Sequence, residues 1–352
     1  MRVAVTGATG NHGTALLRAL AVDDGVEAIV GIARRVPDGP PPPKVTWHAA
    51  DVSRDELTPA FHDCDAVVHL AWLIQPGRDE PTMRATNVEG SRRVFEAALA
   101  AGVRHVVYAS SVGTYAPGPK DRRVDESHPH TGIPSSIYSR HKAAVEALLD
   151  ELEPRNPDTR FVRIRPGLVF QRDAATQVRR LFAGPFLPNA LVRPGLLPVL
   201  PLPDGLVVQC VHSDDVALAY RSALHRPGAR GAFNIAAEPA LPPGVLARAL
   251  GTRHVSAPAG VVRALASLTF KARLQPTEPG WFDMGMQVPV MDTSRAGREL
   301  GWEPRVSADE ALRELVEGMR QGAGHDTPPL DPRTSGPARV REVLTGVGRT
   351  SR

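Results

Sequence analysis

The stretch "SSIYSRHKAAVE", residues 135–146, sets Tyr138 and Lys142 four residues apart at the head of a helix-like pattern. Only four tyrosines and four lysines (Lys44, Lys120, Lys142, Lys271) occur in 352 residues. At those frequencies the spacing arises about 0.05 times by chance, which is low for a short motif. On a helix, positions i and i+4 share a face, so both side chains can enter one cleft while Arg140 and His141 turn elsewhere. A tyrosine hydroxyl titrating near pH ~10 is a poor acid or base at neutrality, and a neighbouring ammonium favours its ionised form. The pair therefore suits proton transfer to or from an oxygen.

A third hydroxyl lies upstream. "YASSVGTYA" closes a buried-strand pattern with Ser110 and Ser111, at the strand edge where open α/β sheets bind their ligands. A serine there can hydrogen-bond a substrate oxygen and hold it against the tyrosine.

"TGATGNHG", Thr6 to Gly13, places Gly7, Gly10 and Gly13 between the first strand pattern and the first helix pattern. Such glycines give a tight turn, backbone approach to a pyrophosphate and close helix packing, with the helix N-terminus facing the negative charge. The second strand ends in "GIARR" with no carboxylate for ribose hydroxyls. Arg34 and Arg35 suit a 2′-phosphate, so NADP(H) is the preferred cofactor and NAD(H) the alternative. Asp51, after the third strand, is placed to accept from the adenine amine.

These residues need a scaffold, and the sequence supplies one. Short apolar runs ("RVAVTG", "VEAIVGIA", "VTWHAAD", "DAVVHLAW", "HVVYASS", "RFVRIRPGLVF") alternate with helical patterns. Runs of Val, Ile and Ala without polar alternation are what parallel strands buried on both faces require. The expected fold is α/β: a Rossmann doubly wound parallel sheet with a smaller C-terminal substrate lobe. Residues 1–170 form the dinucleotide-binding part, with "LVVQCVH" and "GAFNIA" in about 206–236 returning to the sheet. Residues 171–205 and 237–320 form the lobe, and 321–352, poor in large apolar residues, a flexible tail.

Composition narrows the function classes. Aromatics at 5% and a net charge of +4 with scattered arginines argue against a nucleic-acid surface. Cys64 and Cys210 lack metal-ligand spacing and are too few for a disulfide framework, so no metal and a cytoplasmic setting are expected. The chain opens straight into "MRVAV", and no apolar run of about 18 residues appears, so no membrane partner is expected.

Taken in order, "TGATGNHG", "DAVVHLAW", "NVEGS", "YASSVGTYA", "YSRHK", "RIRPGLVF", "VHSDDVA", "GAFNIA" and "LGWEP" make the chain resemble the extended short-chain dehydrogenase/reductases, the NAD-dependent epimerase/dehydratase family, over roughly residues 1 to 320. The resemblance implies Ser111, Tyr138 and Lys142 as the catalytic set, with Tyr138 as acid/base and Lys142 on the nicotinamide ribose. It implies Pro166 and Gly167 beside the nicotinamide, Leu70 and Ala71 along the cofactor, Asn87 near the cleft, and a homodimer through helices near 80–101 and 136–153. The candidate cofactor set is Gly7, Gly10, Asn11, His12, Gly13, Arg34, Arg35, Asp51, Val52, Leu70, Ala71, Tyr138, Lys142 and Pro166.

Departures from the pattern are informative. His12 stands where such turns usually carry an apolar or aromatic residue, and reads as a solvated or hydrogen-bonded turn histidine. Val112 and Gly113 occupy the places of the Asp-Glu pair of 4,6-dehydratases, which argues against that chemistry. The Arg-Asp-Tyr run of many nucleotide-sugar epimerases is replaced by "LVVQCVHSDD", leaving Arg179, Arg180 or Arg193 as substitutes.

The leading expectation is an NAD(P)-dependent oxidoreductase acting on a secondary alcohol or ketone, a small-molecule substrate of hydrophobic character. A nucleotide-sugar 4-epimerase with tightly held NAD is the alternative. A non-catalytic dinucleotide sensor is disfavoured because both Tyr138 and Lys142 are kept.

Overall fold

Alternation along the first strand sets the layers. In β1 (Arg2–Thr6), Val3 and Val5 point to one face and Ala4 to the other, all fully buried. In the computed structural model, which describes residues 1–74, 78–183 and 198–332, this strand pairs in parallel with β2 (Ala28–Ala33) and with β4 (Ala66–His69). Beyond β2 lies β3 (Val45–Ala49), and beyond β4 come β5 (His105–Ala109), β7 (Arg160–Pro166) and β11 (Gly231–Ile235). The seven strands run β11-β7-β5-β4-β1-β2-β3, all parallel. The strand order reverses beside β1, so a crevice opens at the carboxyl ends of β1 and β4, where this class of sheet takes its ligands.

Two apolar cores clamp the sheet. On the Val3 face, Leu16 and Leu20 of α1 (Asn11–Ala21) meet Tyr220 and Leu224 of α7 (Ser213–His225) and Phe233 of β11. On the Ala4 face, Phe61 of α2 (Thr58–Phe61), Phe95 of α4 (Gly90–Ala100) and Leu149 of α5 (Ile137–Arg155) pack on Tyr108 and Phe161. A short α3 (Glu80–Arg84) runs into a π-helical segment, Ala85–Glu89, and then into α4.

The remaining elements are β6 (Arg123–Val124), β8 (Leu168–Phe170), α6 (Ala175–Ala183), β9 (Val199–Leu202), β10 (Cys210–His212), α8 (Pro243–Ala249), β12 (Arg253–Ser256), α9 (Ala259–Lys271), α10 (Pro279–Gln287), β13 (Val290–Met291) and α11 (Ala308–Gln321). They form three small parallel pairs, β8 with β10, β9 with β12 and β6 with β13, flanked by helices.

Two expectations are corrected. "LVVQCVH" does not rejoin the large sheet. At Gly167 the chain steps off β7, and any Cβ there would lie 2.5 Å from the Gln209 carbonyl oxygen. This close backbone approach pairs β8 with β10 in a separate ribbon. The tail expected from residue 321 is packed as far as residue 332: Leu330 is 1% exposed, Thr176 Oγ1 donates to the Ala323 carbonyl at 2.6 Å, and Thr327 Oγ1 donates to the Thr9 carbonyl at 2.8 Å. One apolar anchor and two hydroxyl donors suffice to hold a segment that composition alone marks as a tail. The rest of that segment, residues 333–352, and part of the expected lobe, residues 184–197 with Arg193, lie outside the described residues.

Candidate active site

The phosphate end is built by backbone contact. Gly7 has φ +71°, and a Cβ there would sit 2.7 Å from the Ala71 nitrogen, so the turn lies directly against the chain leaving β4. At Gly13 a Cβ would meet the Gly7 carbonyl oxygen at 2.4 Å, so only glycine lets α1 start this close to the turn. The first helical hydrogen bond runs from Thr14 N to Gly10 O, 2.9 Å. The N–H groups of Asn11, His12 and Gly13 thus precede the helical ladder and form the positive end that suits a pyrophosphate.

Side chains in this turn are occupied elsewhere. Asn11 Nδ2 donates to the Val169 carbonyl (3.0 Å), while Asn11 Oδ1 accepts from Gln171 (2.7 Å) and Ser213 (2.8 Å). The residue is a clasp between the turn, β8 and α7, leaving its backbone for a ligand. His12 Nδ1 lies 3.0 Å from the Tyr220 hydroxyl of α7. Burial, then the Lys142 charge, lowers its pKa to about 4, so the ring is neutral at pH 7.

Arg34 and Arg35 are exposed just beyond β2. Asp51 Oδ1 accepts from the Ser53 hydroxyl (2.7 Å) and N–H (3.0 Å). Burial raises its pKa, but those two bonds and the Arg34 charge outweigh it and hold the carboxyl below its usual range. The expected adenine acceptor is thus already engaged by its own turn. Val52 is buried against Gly90 of α4. Leu70 donates its N–H to the Thr6 carbonyl at 3.0 Å, and Ala71 N–H faces Thr6 Oγ1 at 3.4 Å.

The proton-transfer end is built on α5. Ser136 caps that helix, its hydroxyl accepting from Ser139 N at 3.3 Å, which fixes the entry of Tyr138 and Lys142. Ser111 follows β5 and accepts from Gly113 N at 3.0 Å. Burial raises the Tyr138 pKa to about 12, with the nearby Ser111 hydroxyl opposing it. Lys142 is 3% exposed, donates to the Ala109 carbonyl at 2.6 Å, and lies 3.5 Å over the Trp72 ring and 5.8 Å from the Tyr138 ring. Its pKa is lowered well below that of a free lysine by burial, against the raising pull of Glu146. Pro166 ends β7 opposite Ile235.

Around this pair sit groups that the sequence reading did not single out. Glu146, fully buried, takes both forks of Arg165 (2.8 and 2.9 Å) and accepts from Ser110 at 2.5 Å. Burial pushes its carboxyl up, but Arg165, Arg163 and Ser110 outweigh it and hold it at about 2. Arg165 Nη1 also donates to the Tyr115 hydroxyl (3.0 Å), which donates to Asn234 Oδ1 (2.6 Å). The signal was present: Tyr138, Lys142 and Glu146 repeat every four residues on one helical face, and Arg163 and Arg165 alternate on one strand face. The Tyr138 ring is flanked by Trp72 (5.9 Å between centroids) and Trp281 of α10 (4.7 Å), beside an apolar cluster of Ile133, Met284 and Val288.

A buried hydrogen-bond chain runs from Thr6 at the phosphate turn to Leu73, next to Trp72. Ser91 Oγ donates to the Asn87 carbonyl (2.6 Å), so it accepts from His69 Nε2 (2.8 Å), and His69 Nδ1 accepts from Thr6 Oγ1 (2.7 Å). This fixes His69 as the neutral Nε2–H tautomer, in line with a pKa that burial and the Lys142 charge lower to about 3. Asn87, in the π-helical segment, clamps Leu73 by N–H···Oδ1 (2.7 Å) and Nδ2–H···O (2.8 Å) bonds. That clamp positions the backbone beside Trp72.

The model of the NAD dependent epimerase/dehydratase family matches residues 3–236. The chain belongs to that family. An uncharacterised protein of Mycobacterium tuberculosis is 29% identical over 327 residues, covering 92% of this chain and 31% of its own length, so this chain spans about a third of that relative. An L-arabinose 1-dehydrogenase (NAD(P)(+)) of Haloferax volcanii is 39% identical over 110 residues, 31% of this chain and 41% of the enzyme. Among solved structures, the UDP-glucuronic acid 4-epimerase of Bacillus cereus in complex with NAD superposes with a TM-score of 0.65 at 18% identity, over 91% of this chain and 99% of that one. The two chains thus share their fold over most of their length.

Proposed function

We propose that this family member is an NAD(P)-dependent oxidoreductase of the extended short-chain type that interconverts a ketone and a secondary alcohol. The observation that carries the reading is the juxtaposition, at the carboxyl edge of the sheet, of Ser111 just after β5 with Tyr138 and Lys142 one turn apart on α5, Lys142 bonded to the Ala109 carbonyl at the end of β5. The glycine turn, in which a Cβ would collide with backbone, supports a dinucleotide: the first N–H groups of α1 would hold its pyrophosphate and Lys142 its nicotinamide ribose. When bound, such a cofactor supplies or accepts the hydride. Ser111 holds the substrate oxygen, and Tyr138, protonated at neutrality, gives that oxygen its proton in the reducing direction. Arg34 and Arg35, exposed at the end of β2, support NADP(H) over NAD(H). The apolar and aromatic wall of Trp72, Trp281, Met284 and Val288 supports an apolar substrate.

Family membership favours a second reading, a nucleotide-sugar 4-epimerase, which would use the same hydroxyls without net cofactor consumption. One experiment separates them: binding of NADP(H) and NAD(H) and ketone-dependent NADPH oxidation, on wild type and Tyr138→Phe. The expected result is tighter NADP(H) binding, stoichiometric NADPH consumption, and loss of turnover in Tyr138→Phe with cofactor binding kept. Unaltered turnover in that variant sinks the assignment, and UDP-sugar isomerisation without added cofactor turns it to the epimerase.

A further inference from the structure

Exposed large apolar side chains are unevenly placed on this molecule. Val199, Val255, Val261, Leu265, Leu268 and Leu274 are all at least 44% exposed, and all belong to the β9–β12–α9 unit or its immediate exit. Elsewhere among the described residues only Val22 joins them. Helix α9 is inverted relative to a surface helix: Val261, Leu265 and Leu268, with Ala272 just past its end, point outward within about 60° of arc. Its inward residues Val262, Ala266 and Phe270 are only half-buried, and the helix has no fully buried residue. A patch of this kind, confined to one unit, marks a contact surface.

Charge says what covers it. From residue 252 to 277 the sequence contains no Asp or Glu, but Arg253, Arg263, Lys271 and Arg273. The acids reaching it from neighbouring elements are engaged: Asp204 by Ser256 (2.5 Å) and His254 (3.7 Å), and Asp283 by a two-pronged bond from Arg263 (2.6 and 2.8 Å). Arg253, Lys271 and Arg273 are exposed, and no ion pair among the described residues engages them. Arg78 adds a further cation, stacked 3.9 Å over the Phe270 ring. A second copy meeting this face by twofold symmetry would set like charges opposite one another. Residues 333–352, with five arginines and one glutamate, have the wrong sign as well. An apolar stripe rimmed by cations, with its nearest acids Asp204 and Asp283 bonded to neighbouring side chains, is complementary to an anionic lipid surface.

We propose that α9 with the adjoining β9–β12 edge seats the protein on the surface of anionic phospholipid bilayers. The apolar stripe enters the headgroup region and Arg253, Lys271 and Arg273 face the lipid phosphates. This replaces the expectation of no membrane partner with peripheral contact. It is independent of any span, since no described helix is long and apolar enough to cross a bilayer. The helix is tied by Arg263 to α10, whose Trp281 ring lies 4.7 Å from that of Tyr138, so the contact lies one helix from the site.

The test is co-sedimentation of the full chain with vesicles of phosphatidylcholine alone or mixed with phosphatidylglycerol, for wild type, Leu265→Glu/Leu268→Glu, and Lys271→Gln/Arg273→Gln. These side chains lie outside the catalytic and cofactor sets, and each variant's thermal melt and NADPH oxidation serve as controls for folding. Wild type is expected to pellet with the anionic vesicles at least tenfold more than with the neutral ones and to be released by 0.5 M salt, roughly a threefold shorter screening length than at low salt. The Glu pair should lose that binding at least tenfold and the Gln pair its preference for the anionic lipid, with folding intact. Wild type that ignores anionic vesicles, or a Glu pair that binds like wild type, overturns the proposal. So does a dimer in gel filtration that the Glu pair splits while wild type stays off the vesicles, an outcome that assigns the face to a second copy.

Discussion

Glu146 is the residue on which the candidate catalytic helix is hung. It is buried, holds two nitrogens of Arg165, and through Ser110 reaches the strand end that carries Ser111. Removing one partner of a buried pair leaves the other charged and unpaired, which costs about 3–5 kcal/mol, whereas replacing both with apolar groups is often neutral. Glu146→Gln is therefore expected to lower unfolding stability by about 3–5 kcal/mol in urea titration, and Glu146→Leu/Arg165→Met to recover most of that loss. A single variant within about 0.5 kcal/mol of wild type would show that the pair is solvated rather than buried. Tyr138 and Lys142 are legible in the sequence because both residue types are scarce in it. Glu146 is not, because acidic residues are common and only the i+4 continuation of the same face marks it.

At the level of elements, the glycine array separates into unequal parts. A Cβ on Gly13 would press within 2.5 Å of Gly7 and Ala8 backbone, which no side chain can yield, so α1 itself must shift. A Cβ on Gly10 would meet only the Gly7 carbonyl oxygen at 3.4 Å, an ordinary contact. Gly13→Ala is expected to cost about 1–3 kcal/mol by overpacking, while Gly10→Ala stays near neutral in a thermal melt. Equal midpoints for the two would contradict this geometry. The parallel strands were legible because burial on both faces demands unbroken Val, Ile and Ala runs, as in β4 and β5. The departure of β8 from the sheet was not, since "RFVRIRPGLVF" reads as one run and only the packing of Gly167 on Gln209 divides it. Nor was the π-helical turn at Asn87, whose extra residue leaves no periodic mark in so short a segment.

For the whole molecule, the buried histidines set the acid limit. His69 accepts at Nδ1 from Thr6 and donates at Nε2 to Ser91, so a second proton would displace the Thr6 donor bond and place a charge in a fully buried site. His105 Nδ1 takes a 2.6 Å bond from Arg160, a group that only donates, so protonation there would face a cation. Burial and neighbouring cations, Lys142 for His69 and Arg160 and Arg230 for His105, lower both pKa values to about 3. In the unfolded chain these rings protonate near pH ~6.5. The folded state therefore binds fewer protons than the unfolded state between about 6.5 and 3, and stability must fall as pH drops through that window, by roughly 1.4 kcal/mol per pH unit for each ring. Glu146, held at about 2, adds a second loss as pH falls from its unfolded value near ~4.5 toward 2. The expected urea midpoint thus declines from pH 6.5 downward, before Glu146 titrates, and more steeply below 4.5. His69→Gln should flatten the first part of that decline by about one ring's share, whereas a wild-type midpoint that is level from pH 7 to 5 would mean that the rings open to solvent or gain protons in the fold.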